Sequence, residues 1–159
     1  CSWMQYSEFT KNNFTYEFCI MLKYKSKKKN HSAITIMDGP FFTLYPWDDK
    51  NNFGLYSVEK SRVMVNKDFK ELEKKVNYEI SNSKLLKLRK EIEMDFLHYY
   101  PNFRKEFIFS KYLKSYRTIN KNKNDSRISS VENNKNFINV MSGKIDHVFY
   151  VLKKIEKYI

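Results

Sequence analysis

The sequence predicts an α+β fold: a mixed, largely antiparallel sheet with a helical pair and a C-terminal helix. Three observations carry that expectation. Between positions 15 and 58, four β-rich runs follow one another, separated by turn signals. From Asp68 to about Tyr99 the chain is charged, free of Gly and Pro, and apolar at spacings of three and four. After a return to β-rich sequence, the chain closes on an amphipathic stretch that starts at Ser142. Strands grouped first and helices grouped later, rather than alternating, is the α+β pattern.

The elements follow in order. Residues 15–25 are apolar and β-rich and predict a long strand. The lysines between Lys23 and Lys29 read as the tip of a hairpin, followed by a second strand over 33–37. Asp38-Gly39-Pro40 signals a turn, after which 41–45 and 53–58 give two more strands, so that the four form an antiparallel meander. The helical stretch has Asn66 or Asp68 as candidate caps, with Glu71 and Glu73 in its first turn favouring the helix dipole. Ser81-Asn82-Ser83 divides it, with Ser83 capping the second helix. Leu85, Leu88, Ile92, Phe96 and Tyr99 line one face of that helix, and Pro101 ends it. Residues 106–118 return to strand, 119–126 form a polar loop, and 127–131 and 136–141 are short strands around a turn at 132–135. In the last helix Ser142 is the expected N-cap and Ile145, Val148, Phe149, Leu152 and Ile155 the buried stripe.

Composition narrows the function classes. With 159 residues, 42% hydrophobic and 17% aromatic, the chain has ample apolar surface for a core and is not generally disordered. It has no apolar run of about 18 residues, so no membrane span is expected, and no signal peptide is visible at its start. The expected compartment is the cytoplasm. No initiator Met opens the chain, and the expectation is a fragment of a longer protein. Two cysteines make no disulfide framework, and Cys19 reads as a small buried hydrophobe. The net charge of +12 is dispersed among abundant Asn and Ile, a composition that AT-rich codons produce, and nucleic acid is not the expected partner.

Few residues carry recognisable chemistry. His31, His98 and His147 show no ligand spacing, so no metal site is expected. Three glycines spread over the chain cannot build a Gly-rich phosphate loop. The best candidate is Ser142-Gly143-Lys144-Ile145-Asp146, where a strand feeds a helix directly. Free backbone N–H groups and the helix dipole there suit an anion, and Gly143 permits close approach of a flat ring. A plain helix cap is the other reading of the same residues. Residues 37–46 form a second candidate whose other reading is a tight aromatic hairpin. Arg117 is the third, suited to bidentate carboxylate binding or to an ordinary ion pair.

Taken in order, residues 33–46, 55–61, 125–127 and 136–146 resemble the FAD-dependent oxidoreductases of the D-amino-acid-oxidase-like superfamily, over about the last four-fifths of the chain. The resemblance implies a substrate-domain-like α+β region over residues 1–131, and over 132–159 the returning strand and helix of an incomplete FAD-binding domain. It implies FAD as cofactor, with Ser142, Gly143, Lys144 and Ile145 facing the pyrimidine edge of the flavin ring. It further implies hydride transfer from a C–H next to an amine or hydroxyl, with the helix N-terminus stabilising charge on the reduced flavin. Arg117 would anchor a substrate carboxylate, and Tyr45 and Tyr56 would line the pocket of a small-molecule substrate. The N-terminal Gly-rich Rossmann segment has no counterpart in this sequence, so a separate chain could carry it, and the chain alone would bind FAD weakly or not at all. The alternative is a basic, non-enzymatic α+β binding module for nucleic acid or an acidic protein. That module would expose aromatics on a basic sheet, whereas the flavin reading buries the aromatics of residues 41–56.

Overall fold

The computed structural model describes residues 14–37, 39, 41–48, 51–120, 129–134, 137–141 and 147–159. The chain divides into two compact units, one of residues 17–116 and one of residues 1–16 with 117–159. The class is α+β, with antiparallel strand pairs and helices. No helix among the described residues is long and apolar enough to cross a membrane.

The larger unit is organised by β1 (Phe14–Ser26), whose side chains are buried at most positions. A 13-residue strand that is apolar on both faces is stable only with neighbours along both edges. Those neighbours are β4 (Asn52–Ser57) on one side and β5 (Arg62–Asn66) on the other, and β6 (Phe107–Asn120) also pairs with β1. The sheet continues outward from β4 through β3 (Phe42–Asp48) to β2 (Ile34–Ile36). The expected four-strand meander is therefore corrected. β2, β3 and β4 form it, but β1 pairs with β4 (Leu22↔Leu55, Tyr24↔Phe53), because the three residues of β2 are too few to cover so long a strand. The lysine-rich segment is not a hairpin tip either. It crosses over and is tied down: the Lys27 N–H donates to the Glu106 carbonyl (2.8 Å) and Lys27 Nζ to the Lys105 carbonyl (2.8 Å).

The helices stand where the periodicity put them. In α1 (Phe69–Glu79) the Asp68 side chain accepts the Glu71 N–H at 2.9 Å. In α2 (Asn82–Tyr99) the cap is Ser81, not Ser83, because Ser81 holds the extended backbone a cap requires and accepts the Lys84 N–H at 3.3 Å. Leu85, Ile92 and Phe96 are buried as expected, Leu88 is half-buried, and Tyr99 at the helix end is exposed. A single turn, α3 (Phe103–Glu106), follows Pro101 and seats Phe103 in the core. Phe96 meets Phe42 of β3 at 5.6 Å and Phe103 at 5.0 Å between ring centroids, and Tyr24 meets Phe103 at 4.8 Å.

Two polar knots complete this packing. The Tyr24 hydroxyl donates to Glu93 Oε1 at 2.8 Å, and Arg104 Nε donates to Glu93 Oε2 at 3.1 Å, so the buried carboxylate of α2 is matched on both oxygens. Burial and then the Glu93 charge push the Tyr24 phenol far up, which keeps it a donor. In the second knot Glu106 takes hydrogen bonds from Lys28 and Tyr100, and His31 Nε2 lies 3.0 Å from Oε2 of the same carboxylate. His31 sits among Phe107, Tyr100 and Phe53, with ring centroids 4.7–5.8 Å away. The lysine-rich crossover is thereby fastened to the start of β6.

In the smaller unit β7 (Ser130–Asn134) and β8 (Phe137–Met141) form a hairpin in register Glu132↔Asn139 and Asn134↔Phe137. Glu132 and Asn133 thus belong to the ladder rather than to the expected turn at 132–135; positions 135 and 136 lie outside the described residues. Helix α4 (Val148–Ile155) has His147, not the expected Ser142, at its N-cap position, and His147 Nδ1 lies 3.0 Å from Ser129 Oγ. Its buried residue is Val151, while Val148, Phe149 and Leu152 of the expected stripe are exposed and Ile145 lies outside the described residues. Residues 148–152 are apolar on every side, so their periodicity does not select the face that turns toward β7.

Phe96→Ala is expected to cost about 3–5 kcal/mol in urea unfolding, against about 0.5 kcal/mol or less for a polar substitution at exposed Tyr78. A second prediction concerns acid. The hydrogen bonds from Lys28, Tyr100 and His31 hold the Glu106 carboxyl at about 2, below its ordinary 4.5. As pH falls, the unfolded chain takes that proton before the native one. The contribution is therefore complete above about 4.5 and is lost on the way to about 2. Thermal melts of Glu106→Gln and wild type should differ at pH 7 and converge as pH falls from about 4.5 toward about 2; a gap independent of pH would contradict the assignment.

Candidate functional site

The sheet of the larger unit has two unlike faces, because successive side chains of a strand point to opposite sides. Leu22 and Tyr24 of β1, Phe42 and Leu44 of β3, and Phe53 and Leu55 of β4 are all buried; Phe42 and Tyr24 turn toward α2 and α3. The intervening residues, Met21, Lys23, Thr43, Tyr45, Gly54 and Tyr56, belong to the other face.

Gly54 shapes that face. A Cβ there would lie 2.8 Å from Met21 Sδ and 3.1 Å from the Tyr45 ring, so the glycine leaves the space that the tyrosine occupies. The Tyr45 hydroxyl donates to Met21 Sδ at 2.7 Å, and burial raises its phenol pKa. One residue further along, the β3–β4 register shifts: Pro46 pairs with Phe53 but Asp48 with Asn52, which leaves Trp47 as the extra residue of a bulge. The bulge turns the indole outward, 46% exposed, with its ring 6.3 Å from that of Tyr45. Lys23 Nζ lies 6.0 Å from the indole centroid and 3.7 Å from Asp48 Oδ2. Both oxygens of Asp48 accept from Asn52 Nδ2 at 2.9 Å. The arrangement presents flat aromatic surface beside one cation. It can hold and orient a planar molecule, and it contains no acid–base pair of its own.

The structure brings Tyr45 and Tyr56 to this one face, on adjacent strands and in diagonal register (Tyr45↔Gly54, Thr43↔Tyr56). Arg117 belongs to the other unit, half-buried near the end of β6. Ser142, Gly143, Lys144 and Ile145 lie outside the described residues, between the end of β8 at Met141 and His147. Of the aromatics in 41–56, Phe42 and Phe53 are buried, Tyr45 and Tyr56 half-buried, and Phe41 and Trp47 exposed. Lys23 is paired with Asp48, and of the crossover lysines Lys28 is bound to Glu106 and Lys27 to the Lys105 carbonyl. Among the described residues no three His, Cys, Asp or Glu converge as metal ligands.

Sequence reasoning missed Met21, Lys23, Trp47 and Gly54. Two signals pointed to them: a charge inside an otherwise apolar strand at Lys23, and a glycine within a strand at Gly54. The bulge at Trp47 has no sequence signature, since it arises from the pairing of two strands.

No protein-family model matches the chain, and no solved structure matches it. Among curated proteins it is similar to the FAD-dependent monooxygenase FPY4 of Fusarium mangiferae, with 27% identity over 140 residues. That alignment takes in 88% of this chain and 37% of the relative, so the chain spans little more than a third of the length of the flavin enzyme that it resembles.

Proposed function

We propose that the chain is part of an FAD-dependent oxidoreductase that oxidises an amine or hydroxy-acid type of small molecule. The observation that carries the reading is the similarity to an FAD-dependent monooxygenase along 88% of the chain. In this reading residues 1–131 are the substrate-domain-like region and 132–159 return to the flavin. D-amino-acid-oxidase-like is the superfamily assigned, on the order of the segments that resemble it.

The residues fit part of a flavin site. β8 ends at Met141 and α4 starts at Val148 with His147 at its N-cap position; Ser142, Gly143, Lys144 and Ile145 fall between them in sequence, outside the described residues. With three glycines in all, the chain does not supply the Gly-rich turn that cradles the pyrophosphate. That segment comes from another part of the same protein or from a separate chain. Bound FAD would supply the two-electron, hydride-accepting chemistry. The chain's own residues do the rest. Ser142, Gly143, Lys144 and Ile145 are the residues that would hold the ring's edge, where backbone N–H groups and the Lys144 ammonium would favour negative charge. Arg117 holds a carboxylate, and Tyr45 and Tyr56 orient the substrate on the sheet and exclude water from one side of it.

The test is flavin retention in the complete protein that carries this chain. The wild type should purify with flavin absorbance bands. Gly143→Val, with an unchanged melting temperature once both are stripped of flavin, should lose them, because a side chain blocks approach of the ring. A colourless wild type, or normal bands in Gly143→Val, would overturn the proposal.

A further inference from the structure

We infer that the corner formed by Trp47, Tyr45 and Lys23 binds a planar aromatic carboxylate, which names a substrate class for the open sheet face. The site stands on its own geometry; only its occupant's role as substrate rests on the flavin reading.

Three features converge there, and none is needed to hold the sheet together. The first is the bulge. A regular β3–β4 ladder would give Trp47 a cross-strand partner, but the shift between Pro46 and Asp48 leaves it unpaired and turns a large ring to solvent, 46% exposed. Bulges re-aim side chains in this way beside binding sites. The second is the floor. Gly54 carries no side chain, so the Tyr45 ring lies against the strand, fixed by its hydrogen bond to Met21 Sδ at 2.7 Å. The planes of Tyr45 and Trp47 are 38° apart with centroids at 6.3 Å, an open wedge whose rings are too close to admit a third between them. A planar ligand therefore stacks on the outer face of the indole, with its edge against the tyrosine.

The third feature is the cation, which sets the sign of the ligand. The Lys23 side chain is only 15% exposed, yet its Nζ lies 3.7 Å from Asp48 Oδ2, too far for a hydrogen bond. Both oxygens of Asp48 are already engaged by Asn52 at 2.9 Å. Among the described residues, Lys23 Nζ thus has a loose ion pair and no hydrogen bond, and its three protons are available to an incoming oxygen. Lys25 follows two residues along the same strand face, opposite Asn52, and is exposed. A carboxylate on a stacked ring meets positive charge at this corner, whereas an ammonium meets an acid already committed and a lysine that repels it. The ligand is therefore an aromatic acid rather than an aromatic amine.

The probes are 4-nitrobenzoate and its neutral match 4-nitrobenzamide, both of which quench indole emission on contact. Titration of the chain with Trp3→Phe as background leaves Trp47 as the reporting indole. The acid should quench saturably and bind about tenfold more tightly than the amide, the discrimination expected of one charge-assisted contact. Lys23→Gln, with an unchanged melting temperature, should bring the acid to the amide's affinity and leave the amide where it was. Lys25→Gln should keep most of the preference, and Trp47→Ala should weaken both ligands when followed by calorimetry. Equal affinities in the wild type, absence of saturation, or a preference that survives Lys23→Gln would each overturn the site. None of these measurements uses flavin, so their failure is separate from failure of the flavin reading, which absorbance of the complete protein reports.

Discussion

The long first strand has to be covered on both edges and over most of both faces, and the rest of the larger unit is arranged to do so. Phe18, Ile20, Leu22 and Tyr24 of β1 are all nearly or fully inaccessible to solvent. Burying four such side chains supplies several kcal/mol, provided that the one polar group among them is matched. Tyr24 is that group. Its hydroxyl reaches Glu93, and Glu93 in turn draws Arg104 and Arg89 to the same point. Each is paired because the others are. A buried carboxylate without these donors would cost more than the contact contributes, so the register of α2 on the sheet is set by where Glu93 meets Tyr24.

This covering leaves the sheet lopsided. Leu22, Tyr24, Phe42, Leu44, Phe53 and Leu55 fill one face, and the other carries short and amphipathic side chains, of which Met21, Lys23, Thr43, Tyr45 and Tyr56 are half-buried. The glycine and the bulge both make sense in that setting. On the helix-covered side either would forfeit packing; on the open side one seats a tyrosine and the other displays a tryptophan. The basic character of the chain is likewise organised rather than diffuse around this unit. In the exposed lysine-rich crossover, Glu106 holds Lys28 and the Lys105 carbonyl holds Lys27.

Much of this was legible in the residues. The strands over 15–25, 41–45 and 53–58 and the two helices were readable because their apolar periods are long enough to be unambiguous, and Asp68 announced the first cap. The partners of β1 were not readable. Alternation shows which face of a strand is apolar but not which strand lies beside it, so the hairpin inferred from the lysine-rich loop was replaced by pairing with β4. β5 is short and follows a tight turn at residues 58–60, and without a neighbour its Val63-Met64-Val65 run is too brief to register. At the last helix the failure was of another kind: Val148, Phe149, Val151 and Leu152 give apolar residues on several sides, and burial fell on Val151. The same limit governs the candidate site. Tyr45 and Tyr56 were identified as members, and both lie on the open face, but Trp47 and Lys23 join them only through a bulge and a cross-strand register.

The substrate-holding role, the aromatic corner and the place of Gly54 all require the division of the sheet into a fully buried face and one that displays Trp47. Thiol labelling tests it most directly. A cysteine placed at Trp47 should react with a maleimide at close to the rate of a free thiol, while one at neighbouring Leu44, fully buried against the helices, should react only as fast as the unit unfolds. The rates are to be read peptide by peptide, so that the natural cysteines do not interfere. A wide separation between the two positions is the predicted result; equal rates, or protection at position 47, would contradict the two-faced sheet and with it the functional reading.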